Sequence, residues 1–238
     1  MDKVGIAVGI SKVCRNLLTR SSVPDLHLRR LSVSWHTICD ILICAVTNGS
    51  KNIVNRIAQL DLDLATGKTK QLLELVQTEV EVVPNVFRVL GVSPAALEGY
   101  LNFGEALVEG SLTSKIREQI ALVVAECNMC SYCLSEHTYL GAKVGLTEKD
   151  IADARHAKAA IRKTDAILKL ARSIVVQRGE VSDGDLDAAR NSGMSDSEIV
   201  ETVANVVLNI FGSYVAHIAR TVVDFPKVLP GDGYYHAP

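Results

Sequence analysis

The chain has 238 residues, 48% of them hydrophobic, which suffices for a substantial core and excludes wholesale disorder. A formal net charge of −2 gives no reason to expect nucleic acid as a partner. No apolar run approaches the roughly 18 residues of a membrane span, so we expect no membrane contact. Three of the six cysteines fall between positions 127 and 133, a clustering that suits catalysis or metal binding better than a disulfide framework. We therefore expect a reducing compartment, the cytoplasm.

Charge divides the chain into two unequal pieces. Residues 1–60 carry a net charge of +5 and the remainder a net charge of −7, and the first Glu of the chain is Glu74. We predict a boundary near residues 53–65, with residues 1–53 an extension of no recognisable fold and residues 54–238 a helical domain. No Met lies between Met1 and Met129. Our hypothesis is that the extension is disordered or not made at all; a cleaved targeting peptide and a genuine extra arm are the alternatives.

Helices are predicted almost throughout the second piece. Ser93 followed by Pro94 predicts an N-cap and a first helical residue, opening a helix that runs to about Val108 and stops before Gly110. The next helix begins at Thr113 or Ser114, and its residues 120–125 are apolar on nearly all sides, which predicts burial.

Later helices are marked by caps and by apolar spacing. Capping-box spacing occurs at Thr147 with Asp150, Ser182 with Asp185, and Ser195 with Glu198. Apolar residues at helical spacing predict helices over residues 165–176 and 199–211. No alternating run indicates a sheet, so the predicted class is all-α, with an extended tail from Phe225.

The chemistry is concentrated in residues 130–137, which read Cys-Ser-Tyr-Cys-Leu-Ser-Glu-His. On a helix, positions three and four apart share a face, so Cys130, Cys133 and His137 can converge. The imidazole at i+4 favours Cys133 as the activated thiol, whereas the start of a helix would lower the pKa of Cys130. Spacing alone does not choose between the two thiols. Glu118 lies in the first turn of a buried helix, where a carboxylate also serves as a cap.

Metal binding is the main alternative at this segment, because Cys127 extends the series to C-x2-C-x2-C-x3-H. The spacing is too tight for a zinc site on a segment predicted to be helical, and His137 stands where an iron–sulfur motif requires a fourth thiolate followed by proline. We therefore expect no metal and no bound cofactor, and we interpret Cys127 as a packing residue.

Glu118, eleven intervening residues and then Cys130-x-x-Cys133-x-x-x-His137 resemble the signature of the alkylhydroperoxidase D and carboxymuconolactone decarboxylase-like superfamily. The resemblance covers roughly residues 54–228 and is closest to the peroxidase-related branch. The other segments that carry it are Val-Pro-Asn at 83–85, Leu-Glu-Gly-Tyr-Leu at 97–101, Arg-Glu-Gln-Ile-Ala-Leu from 117 and Val-Asp-Phe-Pro at 223–226. It implies an all-helical alkylhydroperoxidase D-like fold that assembles as homotrimers or homohexamers.

The resemblance also implies roles for the site residues. Cys133 would attack the peroxide, Cys130 would resolve the sulfenic acid into a disulfide, His137 would take the thiol proton, and Glu118 would orient the histidine. Related chains place a second histidine where this one has Tyr132, whose hydroxyl could donate a hydrogen bond instead. His217 is expected to pack in the core or to approach the site in the oligomer.

The expected function is thiol-dependent reduction of a hydroperoxide, followed by reduction of the disulfide by an external lipoyl or thioredoxin-like dithiol. A disulfide adaptor that passes electrons to a separate peroxidase is the first alternative. Decarboxylation of a muconolactone is the second, although proton transfer next to a carbonyl has no evident need for paired thiols. The sequence names neither the peroxide nor the reductant.

Overall fold

The computed structural model describes residues 56–79 and 82–231. Within them the chain forms a 3-10 turn, Leu62–Leu64, and nine α-helices, and no strand occurs in these two ranges. The helices are α1 (Gly67–Glu79), α2 (Asn85–Leu90), α3 (Pro94–Val108), α4 (Ser114–Cys127), α5 (Ser131–Lys143), α6 (Glu148–Arg155), α7 (Arg162–Val176), α8 (Asp183–Asn191) and α9 (Asp196–Ala219). The all-α class is thus confirmed. The prediction for residues 1–53 lies outside the described residues.

The helix starts follow the caps in the sequence. The side chains of Ser93 and Thr113 accept the backbone N–H groups of Ala96 and Ile116, and all three predicted capping boxes are present. Helix α7 begins at Arg162, three residues before the predicted start, because its N-cap residue Ile161 makes no side-chain cap that a sequence could reveal.

Helix α4 is the centre of the fold. It packs against α5, α6, α7 and α9, and its residues 119–126 are all buried. The all-round apolar pattern predicted this position, because a helix surrounded by neighbours has no face to leave in water. Helix α5, with Cys133 and His137, lies directly against it.

Helix α9 is longer than predicted and continues past Phe211 to Ala219. Gly212 and Ser213 do not end it, because both are buried and the hydroxyl of Tyr100 occupies the space beside Gly212, 3.2 Å from where a Cβ would stand. By length and composition α9 could cross a membrane, which the sequence analysis missed, although 39% of its apolar window is buried in this fold. Its buried Thr202, Asn205 and Ser213 make hydrogen bonds within the domain.

The segment after α9 is extended, as predicted, and runs along the outside of α5. The ring of Phe225 packs against those of Tyr132 and Tyr139, and the N–H of Val228 donates to the hydroxyl of Ser135. Tyr132, Ser135 and Tyr139 stand three and four positions apart, so the segment covers one face of α5 and leaves the Cys133–His137 face to other neighbours.

A buried ion pair holds the end of this segment. Arg155 of α6 donates from Nε to Glu126 Oε2 at 2.7 Å, and the N–H of Gly231 donates to Glu126 Oε1 at 2.6 Å. Arg155 also donates to the carbonyl of Leu229. Glu126 lies in the central helix and is almost fully buried, so these donors are what satisfies its charge.

Candidate thiol active site

A tight corner between α4 and α5 positions the two thiols. Met129 adopts a left-handed conformation, with φ of 55°, immediately after α4. Its N–H donates to Glu126 O, and the N–H of Cys130 donates to Ala125 O, which together close α4 with a Schellman motif. Cys130 is therefore the last residue of one helix ending and the N-cap of the next.

Cys130 is also a ligand for the backbone of α5. Its Sγ accepts the N–H of Cys133 at 3.2 Å, so a sulfur takes the place that a serine or aspartate oxygen usually has at an N-cap. Both thiols are buried and reduced, Cys130 at 1% exposure and Cys133 at 6%. Cys133 is the more accessible of the pair.

The negative charge of the pair is stabilised on Cys130. A hydrogen bond from the Cys133 thiol lowers the pKa of Cys130 against the effect of burial, and the Cys133 N–H and the charge of His137 lower it further. The pKa of Cys133 is raised, because its thiol donates to Cys130 and because burial and the charge on Cys130 oppose ionisation. The N-cap geometry supports the same assignment, since the positive end of α5 points at Cys130.

His137 and Glu118 form the second pair of the site. His137 Nδ1 lies 2.9 Å from Glu118 Oε2, which joins α5 to the first half of α4, and both side chains are largely buried. Burial lowers the pKa of His137, but the charge and hydrogen bond of Glu118 outweigh it and raise the pKa to about 9. The histidine is therefore an imidazolium at neutral pH, with Nδ1–H held by the carboxylate.

Tyr132 and His217 have partners outside this pair. The Tyr132 hydroxyl accepts the N–H of Val86 at 3.1 Å and donates to Asp224, so burial and that carboxylate raise its pKa. His217 is exposed on α9, and its Nε2–H donates to the carbonyl of Asn128 at 2.8 Å, two residues before Cys130. Both residues thus support the backbone around the thiols.

Cys127 is half-buried at the end of α4 and packs against the core. Burial raises the pKa of its thiol to about 11, so it is the least acidic of the three described cysteines. Within the described ranges, no group of three or more His, Cys, Asp or Glu side chains is arranged to hold a metal ion.

Two further residues of the site were not singled out from the sequence. Glu136 lies one turn after Cys133, and Tyr100 of α3 lies close enough for Glu136, Cys133 and Glu118 to raise its pKa along with burial. The position of Glu136 beside His137 was a usable signal, because a carboxyl three residues after a thiol shares its helix face. Tyr100 gave no such signal, since its approach depends on how α3 packs.

Residues 94–175 match the family model described as the carboxymuconolactone decarboxylase family. This range contains Glu118, both thiols of the pair and His137. No curated protein sequence matches the chain significantly.

Several solved structures share the fold. A peroxidase-related protein with an alkylhydroperoxidase AhpD core from Ralstonia eutropha JMP134 is 24% identical, with a TM-score of 0.62 over 76% of this chain and 94% of that one. A peroxidase-related protein from Silicibacter sp. TM1040 is 20% identical, with a TM-score of 0.62 over 79% and 98%. The debrominase Bmp8, in complex with 2,3,4-tribromopyrrole, is 12% identical, with a TM-score of 0.62 over 71% and 91%. At these identities the likeness is one of fold.

Proposed function

The chain belongs through residues 94–175 to the carboxymuconolactone decarboxylase family and has the alkylhydroperoxidase D-like fold, and from this premise we propose that it reduces hydroperoxides by a disulfide cycle at Cys130 and Cys133. The observation that carries the proposal is the bond from the Cys133 N–H to Cys130 Sγ at the start of α5, beside the His137–Glu118 pair. Two thiols that already share one negative charge can become one disulfide with little movement.

The first step oxidises Cys133. Because Cys133 is the more exposed thiol, a peroxide meets it first, and its proton passes to Cys130 along the hydrogen bond that joins them. The Cys133 thiolate attacks the terminal peroxide oxygen, the O–O bond breaks, and a sulfenic acid forms on Cys133. The other oxygen leaves with the electron pair, takes up one proton and departs as alcohol or water.

The second step closes the disulfide. Cys130 attacks the Cys133 sulfur, the S–O bond breaks, and the released hydroxide combines with the Cys130 proton to form water. An external lipoyl or thioredoxin-like dithiol then reduces the disulfide by thiol exchange and becomes a disulfide itself. One peroxide and one dithiol are consumed in each cycle.

His137 and Glu118 act on charge in this cycle. The imidazolium lowers the pKa of Cys130 and keeps the pair ionised at neutral pH. It represents the state after a proton has left the thiol pair, which is how His137 would have taken the thiol proton. Glu118 holds Nδ1–H and so fixes the orientation of the ring.

Burial of the thiols favours a small oxidant over a protein partner. At 1% and 6% exposure, neither sulfur can be reached by the flat surface of a second protein, whereas a peroxide or a slender lipoyl arm is small enough. The adaptor alternative requires a separate peroxidase to reach the same sulfurs. Lactone decarboxylation, the reaction in the family name, leaves the shared thiol charge without a use.

We further propose that the reaction takes place in the cytoplasm and in a homotrimer or homohexamer. Free thiols that must cycle through a disulfide need a reducing compartment to restore them. Helix α9 exposes an apolar stripe on one side, with exposures from 39% to 66%, which is more than a monomer usually leaves in water. The stripe consists of Val200, Val203, Val207, Phe211, Tyr214 and Ile218.

The decisive experiment measures peroxide consumption by the purified protein with dihydrolipoamide as the reductant. The parent should turn over, Cys133→Ser should not react, and Cys130→Ser should be oxidised once and stop. Mass spectrometry after one equivalent of peroxide should find a Cys130–Cys133 disulfide in the parent. Consumption of the peroxide with both thiols still reduced would exclude the mechanism. Reduction that occurs only after a separate peroxidase is added would favour the adaptor.

A further inference from the structure

Glu136 lies on α5 between the two pairs that form the site. It is one helical turn after Cys133 and directly precedes His137, so its side chain leaves the helix beside the sulfur. The residue is partly buried. Within residues 56–79 and 82–231, no hydrogen bond engages its carboxyl group.

The surroundings of Glu136 come from four elements. Tyr100 of α3, Glu118 of α4 and Asp224 of the C-terminal segment face it, together with Tyr132, His137 and the two thiols of its own corner. Burial raises the pKa of Glu136 to about 7, and Glu118 and Asp224 add to this increase against the opposing charge of His137. A large fraction of the carboxyl is therefore protonated at neutral pH.

Cleavage of a hydroperoxide needs such a proton. Attack of the Cys133 thiolate would expel alkoxide or hydroxide, which are poor leaving groups because their conjugate acids are so weak. The nearby imidazolium is committed, since Glu118 holds its Nδ1 proton and its charge stabilises the Cys130 thiolate. The Cys130 thiol, once protonated, must give its proton up in the next step.

We propose that Glu136 is the general acid of the reductive half-cycle and donates its carboxyl proton to the leaving oxygen as the O–O bond of the peroxide breaks. This inference rests on the proposed function. In the step the Cys133 sulfur gains an oxygen, the peroxide is reduced to an alcohol, and Glu136 becomes a carboxylate. Solvent reprotonates it before the next turnover, which balances the proton.

A purely structural role explains Glu136 less well. A partly buried carboxyl with no hydrogen-bond donor costs stability, whereas an apolar residue at the same place would not. The structural carboxylates of this fold are satisfied: Glu126 accepts from Arg155 and Gly231, and Glu201 accepts from Ser111 and Leu112. A free acid beside the attacking sulfur is instead suited to a ligand that arrives later.

The experiment compares two oxidants that differ in their need for a proton. Cumene hydroperoxide must release an alkoxide, whereas peroxybenzoic acid releases a carboxylate that leaves readily without one. In single turnover, Glu136→Gln should lower the rate with cumene hydroperoxide roughly 100-fold and leave the rate with peroxybenzoic acid within about twofold of the parent. Glu136→Asp should retain part of the hydroperoxide rate. Glu180→Gln, at an exposed position, is the matched control and should change neither rate.

Alkylation by iodoacetamide reports on the thiols themselves, because iodide leaves without a proton. An unchanged or faster alkylation rate in Glu136→Gln shows that the thiolate is intact. Equal losses with both oxidants would make Glu136 a residue that merely supports the site, and an unchanged hydroperoxide rate would also overturn the inference. If the parent reduces neither oxidant, the proposed function fails and the inference fails with it; if the parent reduces both, only the role of Glu136 is at stake.

Discussion

Cys130 Sγ accepts the backbone N–H of Cys133 at 3.2 Å, so the first thiol of the pair is also the N-cap of helix α5. One sulfur thereby serves the fold and the chemistry at the same time. A thiolate is a better acceptor for this N–H than a neutral thiol, because the acceptor charge strengthens the bond. Disulfide formation must release this bond, which links the oxidation state of the pair to the first turn of α5.

Ionisation should be confined to Cys130. Cys133→Ser keeps both the backbone N–H and a hydroxyl donor facing Cys130, so a thiol with a pKa below 9 should persist. Cys130→Ser removes the sulfur that holds the charge, and the remaining Cys133 should titrate above 9. Ultraviolet absorbance of the thiolate across a pH series measures both. Low-pH titration that follows Cys133 instead would contradict the assignment.

Loss of the imidazolium should raise the pKa of Cys130. His137→Gln removes the positive charge that favours the thiolate, so alkylation at neutral pH should slow. Glu118→Gln should have a smaller effect, because it lowers the fraction of imidazolium without removing the ring. Rates of iodoacetamide alkylation from low to high pH separate a change in pKa from a change in access. Identical pH profiles in all three proteins would remove both residues from the mechanism.

His137 should make the domain less stable as the pH rises. Its pKa in the folded protein, about 9, lies above the ordinary value of 6.5, so the folded state binds the proton more tightly. The stabilisation is complete below about pH 6.5 and is lost as the pH rises through about 9, by at most about 3 kcal/mol, at ~1.4 kcal/mol for each unit between the two pKa values.

Urea unfolding at several pH values tests this dependence. His137→Gln should flatten the curve of unfolding free energy between pH 6.5 and 9. Glu136→Gln should leave that interval alone and act between pH 4.5 and 7, because the pKa of Glu136 is raised across that range. A parent whose stability is level from neutral to alkaline pH would exclude the raised pKa of His137.

The ion pair of Glu126 and Arg155 should matter more than a surface pair. Arg155→Met leaves a carboxylate in the central helix with only the Gly231 N–H, so unfolding should become easier by roughly 3–5 kcal/mol. Adding Glu126→Gln should recover part of this loss. Arg190→Met, which breaks an exposed pair with Asp196, is the control and should change little. Equal effects of Arg155→Met and Arg190→Met, measured by urea unfolding, would contradict the prediction.

The apolar stripe of α9 should control assembly. Val207→Glu and Phe211→Glu each put a charge in the proposed contact and should shift the protein to smaller species in sedimentation velocity. Leu64→Glu, an equally drastic change at an exposed leucine outside α9, should leave the size unchanged. A parent that sediments as a monomer at all concentrations would show that the stripe has another use.

The sequence by itself determined what depends on neighbours within one or two helical turns. The caps at Ser93 and Thr113 and the three capping boxes could be predicted because each is a bond between residues three apart. Convergence of the Cys-x-x-Cys and His residues followed from the same periodicity, and burial of α4 followed from apolar residues on every side. The start of α7 could not be predicted, because Ile161 makes no cap bond.

Only the tertiary structure decided how these residues differ in charge. Spacing left the two thiols equivalent as candidates, and the N-cap position of Cys130 separates them. The raised pKa values of His137 and Glu136 depend on Glu118, which is 19 positions from His137 on another helix, and on burial that no local pattern encodes. The partners of Tyr132 come from two distant segments, at Val86 and Asp224. A pKa is set by the whole surroundings of a group, so it emerges only when the helices pack.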